Sequence, residues 1–141
     1  AFPILRELLI AERGKGAHRS GVPIHVSQST NLQGEFFLSD GNMRNAKATV
    51  MQDISRLSEK GCRIRILGNA ALSMTRVASG EGLVATNRSV NPWDVAAPCL
   101  IVEEAGGRVT DETGKKWSAS AKELVATNGV VHDEVLNILR E

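Results

Sequence analysis

The sequence predicts an α/β fold with a mixed, partly parallel sheet and helices packed on it. Short apolar segments alternate with longer segments whose apolar residues recur at helical spacing, and this alternation is typical of α/β layering. Hydrophobic residues make up 42% of the 141 residues and aromatic residues only 4%, with no Tyr. We therefore expect residues 1–141 to form a single domain with a modest core of aliphatic side chains and Ala.

Strands are predicted where short apolar segments end at Gly, Pro or Asn turns. In the first half these are residues 7–12, 23–26 and 35–38, with a tight turn at 13–16 and another at 40–42. Residues 62–67 alternate Ile with Arg, as in a half-exposed strand. The remaining predicted strands are residues 83–86, 108–110 and 124–127.

Helices are predicted for four segments. Residues 45–60 place Val50, Met51, Ile54 and Leu57 on one face, and Gly61 ends the segment. The other three segments are residues 70–79, the segment that begins at 92 and ends at the double glycine 106–107, and residues 132–140. The longest irregular stretch is residues 111–121.

Composition gives no support for a nucleic-acid or membrane partner. A net charge of +1 gives no reason to expect nucleic acid or a membrane surface as a partner. No apolar run approaches the ~18 residues of a membrane span, and no secretory signal opens the chain. Cys62 and Cys99 are not spaced as a metal-binding pair, so we expect buried thiols in a cytoplasmic protein.

Asp94 is the strongest candidate for chemistry. Asn91 is a good N-cap, Pro92 suits the first helical position, and Asp94 then lies in the first turn, where the helix dipole favours a carboxylate. The helix is apolar nearly all round, which predicts deep burial and hence a bonded or metal-bound carboxylate. Two interpretations remain open: an ordinary capping-box acid or a metal ligand.

The segment Trp-Asp-Val-Ala-Ala at 93–97, followed by Glu-Ala-Gly-Gly at 104–107, resembles the second signature of the inositol monophosphatase family. These enzymes are Mg²⁺-dependent, Li⁺-sensitive phosphomonoesterases, and some members also hydrolyse fructose 1,6-bisphosphate. Three further segments resemble the family in the same order: residues 11–17, 65–72 and 126–129. The resemblance implies the C-terminal half of a layered α/β/α/β/α sugar-phosphatase fold, with a mostly parallel mixed sheet.

The resemblance also implies roles for particular residues. Asp94 would be a catalytic metal ligand close to the leaving-group oxygen, and the backbone at Asn69 and Ala70 would contact a substrate hydroxyl; a plain strand–helix junction is the alternative for that backbone. Asn87 occupies the position of a family Glu that binds an inositol hydroxyl, so the inositol assignment is weakened. Arg88 would suit a second phosphate, as in fructose 1,6-bisphosphate or NADP, unless it is a solvated surface side chain.

Two family motifs that carry the other metal carboxylates, Gly-x-x-x-x-Glu-Glu and Asp-Pro-Ile-Asp-Gly-Thr, do not occur in this sequence. The cofactor Mg²⁺ therefore needs ligands absent from this chain, which we predict to be inactive alone as the substrate-side, C-terminal portion of the enzyme. The alternative is a non-catalytic α/β module that needs a separate N-terminal half. Expected partners are a small phosphorylated sugar or polyol, and a second copy or the missing half. Pro98 replaces a Gly of the family and predicts a kink.

Overall fold

The computed structural model describes residues 1–141 and contains eight strands, four α-helices and a short 3₁₀ turn at Pro3–Leu5. The strands are β1 Leu9–Ala11, β2 Ala17–Arg19, β3 Val22–Ile24, β4 Phe36–Ser39, β5 Arg63–Ile66, β6 Val84–Arg88, β7 Arg108–Thr110 and β8 Glu123–Thr127. The helices are α1 Lys47–Glu59, α2 Ala70–Ala78, α3 Pro92–Glu104 and α4 His132–Arg140. The α/β class is confirmed, and every predicted helix is present.

Strands β1, β2 and β3 form a small antiparallel sheet, and the other five form a sheet of order β5-β4-β6-β8-β7. β4 pairs in parallel with β5 and β6, whereas β8 is antiparallel to both β6 and β7. The predicted mixed sheet is confirmed, but parallel pairings do not predominate. After the α3 crossover β7 runs in the same direction as β6, and β8 then enters between them from the opposite direction.

The elements stack in four layers. Helices α1 and α4 cover one face of the five-stranded sheet, while α2 and α3 cover the other and separate it from the small sheet. The buried cluster on the α1/α4 side includes Leu57 and Val135, and the cluster on the α2/α3 side includes Met74 and Val102. The structure thus has the α/β/α/β order of the predicted layered fold.

Strand β2 was not predicted, because Ala-His-Arg shows no apolar alternation. It is created by a two-residue hairpin turn in which Ser20 and Gly21 have φ of 48° and 85°, the left-handed values that match the twist of paired strands. In α1, Val50 and Leu57 are buried as predicted, whereas Met51 is half-exposed.

Helix α3 is not buried on all sides, so that prediction is wrong. Val95, Cys99 and Val102 face the core, but Trp93 is 79% exposed, and Asp94, Ala96 and Ala97 are also exposed. An apolar composition makes burial favourable, yet a helix buries only the faces that other elements cover. The helix continues through Pro98, whose ring is buried.

Both thiols are buried and unpaired, as expected. Burial raises the pKa of Cys62 to about 11 and that of Cys99 to about 12. None of the four helices has the length and hydropathy needed to cross a lipid bilayer.

Candidate active site

The main concavity is a cleft of about 730 Å³ at the carboxyl ends of the three parallel strands. Three segments line it: residues 40–45 after β4, residues 68–71 after β5, and, after β6, residues 89–91 together with 93 and 94. Ligands of open α/β sheets bind outside the carboxyl ends of strands, because the loops there leave a crevice. The fold therefore supplies a crevice, and three of the candidate residues, Asn69, Ala70 and Asp94, lie on it.

Asp94 lies at this cleft, in the first turn of α3. Asn91 occupies the N-cap position with extended backbone angles, but its side chain does not cap a backbone N–H, contrary to the predicted capping role. Its Nδ2 instead donates to Asp94 Oδ2 at 3.3 Å. Since Asp94 is exposed and has this single side-chain bond, its carboxylate remains free to bind a cation or a ligand in the cleft.

The first turn of α2 forms a second wall of the cleft. Asn69 caps this helix, because its Oδ1 accepts the N–H of Leu72 at 2.8 Å. The N–H groups of Ala70 and Ala71 have no acceptor one turn earlier in the helix, so they are available to a polar ligand. The structure thus brings Asn69, Ala70 and Asp94 together in one cleft.

Asn87 is not part of the cleft, contrary to its expected contact with substrate. Its side chain is fully buried, and its Oδ1 accepts a hydrogen bond from Ser73 Oγ of α2 at 2.8 Å. Side chains alternate between the faces of a strand, and this position of β6 points under α2 rather than out of the end of the sheet. The Nδ2 of Asn87 has no hydrogen-bond partner.

Arg88 also lies outside the cleft, and both sequence interpretations of it are wrong. Its side chain is 2% exposed, so it is not a solvated surface arginine. Its guanidinium binds Asp53 through two bonds of 2.8 Å and lies 3.2 Å from Glu123 and 3.4 Å from Glu112. With three carboxylates around it, this guanidinium is not available to a second phosphate.

Asp40 and Asn42, which were predicted only as part of a turn, also line the cleft. Asp40 Oδ1 accepts the N–H of Asn42 at 3.3 Å, and Asp40 Oδ2 accepts the N–H of Arg88 at 3.3 Å. Burial raises the pKa of Asp40, against the lowering effect of these two bonds. An acid directly after an apolar strand was the available signal, since such positions meet at the carboxyl edge of a parallel sheet.

The side chains of the metal-ligating types are scattered over this structure. No group of three or more His, Cys, Asp or Glu side chains is placed to hold an ion. Asp40 and Asp94 are the two residues with carboxylates on the cleft. Both carboxylate oxygens of Asp40 already accept a backbone N–H. Hard divalent cations take several oxygen ligands, so Asp94 offers at most one part of such a site.

The model of the family described as "Inositol monophosphatase family" matches residues 1–141. A Thermotoga maritima fructose-1,6-bisphosphatase/inositol-1-monophosphatase is 40% identical over 139 residues, which are 99% of this chain and 53% of that protein. Human inositol monophosphatase 1 is 29% identical over 126 residues, 86% of this chain and 46% of that protein. The chain spans about half the length of the curated relatives it matches.

Solved structures agree with this similarity. The Thermotoga maritima IMPase structure superposes with a TM-score of 0.87 at 37% identity, over 98% of this chain and 53% of that one. The extragenic suppressor protein suhB from Bartonella henselae gives a TM-score of 0.92 at 29% identity, over 99% and 54% of the two chains. An IMPase/NADP phosphatase complexed with NADP and Ca²⁺ gives a TM-score of 0.81 at 25% identity, over 97% and 52%.

Proposed function

This chain belongs to the inositol monophosphatase family, and from that premise we propose that it forms the substrate-side part of a Mg²⁺-dependent phosphomonoesterase. The substrate class is a small phosphorylated sugar or polyol. One observation carries the proposal: Asp94 and the free N–H groups that open α2 line the same cleft at the carboxyl ends of three parallel strands.

The proposed roles follow from the chemistry of these groups. Asp94 supplies one carboxylate ligand to a Mg²⁺ ion whose other ligands lie outside this chain. Such an ion, when bound, neutralises phosphoryl oxygens and lowers the pKa of its water. The first-turn N–H groups at Ala70 and Ala71 orient a hydroxyl or phosphate oxygen of the substrate, aided by the positive end of the helix dipole.

Two observations bear on which phosphate ester is bound. Arg88 lies in the core, so its side chain does not reach a phosphate in the cleft. The cation on the cleft is instead Arg44, an exposed side chain with no carboxylate partner. A substrate with a second anionic group, such as fructose 1,6-bisphosphate or NADP, would be favoured by Arg44, whereas inositol 1-phosphate would not need it.

The test is Mg²⁺-dependent phosphate release by the intact protein that carries this chain, assayed with inositol 1-phosphate and fructose 1,6-bisphosphate. Asp94→Asn should lower kcat on the order of 100-fold, equivalent to about 2.7 kcal/mol of transition-state stabilisation. Asp133→Asn removes an exposed carboxylate far from the cleft and serves as the matched control. Wild-type activity in Asp94→Asn would overturn the proposal.

The alternative, a non-catalytic α/β module, is distinguished by mixing. We expect this chain to be inactive alone and active after addition of a separately produced N-terminal half of the family. A mixture that forms a complex but hydrolyses neither substrate supports the non-catalytic module.

Arg44→Gln should raise KM for the bisphosphate and leave KM for the monophosphate unchanged.

A further inference from the structure

We propose that Arg88 is a positioning residue for the cleft. Its side chain fixes the end of β6 in the core, and its main chain holds the Asp40–Asn42 loop against the cleft. The proposal rests on the proposed function only in taking this cleft as the place where substrate binds.

The Arg88–Asp53 ion pair fixes the end of β6. Arg88 and Asp53 side chains are 2% and 1% exposed and share two hydrogen bonds of 2.8 Å. A bidentate pair fixes the orientation of the guanidinium plane as well as its distance from the carboxylate. Glu123 at 3.2 Å adds a link from β8, so the guanidinium joins α1, β6 and β8. The end of β6 is therefore held in one place.

The main chain of the same residue positions the Asp40–Asn42 loop. The N–H of Arg88 donates to Asp40 Oδ2 at 3.3 Å, and its carbonyl accepts from Asn42 Nδ2 at 3.0 Å. Asp40 Oδ1 closes a ring by accepting the N–H of Asn42 at 3.3 Å. Asp40 and Asn42 both line the cleft, so one peptide segment of β6 sets the position of that wall.

The turn that follows Arg88 sets the neighbouring wall, formed by residues after β6. Ser89 has φ of 56°, a left-handed conformation that is uncommon for a residue other than Gly. Such a conformation persists where the flanking structure fixes both ends. Arg88 fixes one end, and the N–H of Val90, bonded to Lys122 O at 3.0 Å, fixes the other. Helix α3 begins two residues later and carries Asp94 on its first turn.

The experiment is amide hydrogen exchange on the intact protein that carries this chain. Arg88→Met should speed exchange of the Asn42 N–H at least tenfold, because the end of β6 is then no longer fixed by the ion pair, and its main-chain bond to Asp40 is held less firmly. Arg88→Lys, which keeps the charge and loses the bidentate geometry, should give an intermediate rate. Leu57→Ala is the control, since it removes a buried side chain from the α1/α4 cluster without touching the loop. Equal acceleration in Leu57→Ala and Arg88→Met would overturn the proposal.

Asn42→Ala tests the same link from the loop and leaves the ion pair intact, so it gives an answer even if Arg88→Met fails to fold. We expect it to raise KM severalfold with little change in the unfolding midpoint. Unchanged KM in folded Asn42→Ala would overturn the proposal. The exchange result does not depend on turnover: acceleration at Asn42 in an intact protein without phosphatase activity supports the positioning role and rejects the proposed function.

Discussion

Arg88 and Asp53 form a two-bond ion pair in the protein interior, with Nε–Oδ2 and Nη2–Oδ1 distances of 2.8 Å each. The pair joins the last residue of β6 to the middle of α1. Both charged groups are buried away from water, so removing either one leaves the other as a buried charge without its bidentate partner. This relationship explains why the arginine that the sequence assigns to substrate serves the core instead.

Asp53→Asn should lower the free energy of unfolding by about 3 kcal/mol. The buried guanidinium of Arg88 would then keep only Glu123 and Glu112, which lie farther away at 3.2 and 3.4 Å. Urea denaturation measures this loss. Asp133→Asn is the matched control: Asp133 also binds an arginine, Arg108, at 2.8 Å, but it is 81% exposed. That change should cost less than about 1 kcal/mol, since solvent screens exposed pairs. Equal losses in the two variants would contradict the prediction.

His132 makes stability depend on pH. The ring is fully buried at the start of α4, with Nε2 2.9 Å from Thr110 Oγ1 and Nδ1 2.9 Å from Thr127 Oγ1. Burial, with a smaller effect of Arg108, lowers the pKa of His132 to about 4. The unfolded chain binds this proton near pH 6.5, so protonation favours unfolding.

Stability should therefore be full above pH 6.5 and fall as pH drops from 6.5 towards 4, by roughly 3 kcal/mol from this residue. The measurement is the unfolding free energy across that range. His132→Gln should flatten the slope, whatever its effect on absolute stability, and His25→Gln, at an exposed histidine, should not. A slope that survives in His132→Gln would assign the pH dependence to other groups.

Glu104 attaches the end of α3 to the turn between β1 and β2. Its two carboxylate oxygens accept the N–H groups of Gly14 and Gly16 at 3.0 Å each, and these bonds lower its pKa. Glu104→Gln replaces one of the two acceptor oxygens by an NH₂ group, which cannot accept a hydrogen bond. We therefore expect lower exchange protection of the Gly14 or the Gly16 N–H. Wild-type protection should decline as pH falls through the depressed pKa.

Glu12→Gln is the control, since Glu12 lies in the same turn and binds Lys15 rather than a backbone amide. Protection at Gly14 and Gly16 should be unchanged in that variant. If Glu12→Gln has the same effect as Glu104→Gln, the turn responds to net charge and not to the two hydrogen bonds.

Much of the fold could be predicted from local signals. Helix α4 has the bounds that its apolar spacing predicts, and strand β7 matches its prediction as well. Helix α3 begins at Pro92 and ends before the double glycine, where Gly106 has φ of 91°. These signals act within one turn of the chain, so they need no knowledge of distant partners.

The sequence alone determined the order of the elements other than β2, the family and the place of Asp94 on the first turn of α3, because capping residues, periodicity and contiguous motifs are local. Only the tertiary structure decided what surrounds each side chain. It exposed Asp94 and one side of α3, buried Arg88 with three carboxylates, turned Asn87 under α2, and brought Asp40 to the cleft. Each of these depends on which distant elements pack together, and charge–charge and packing energies arise only from that proximity.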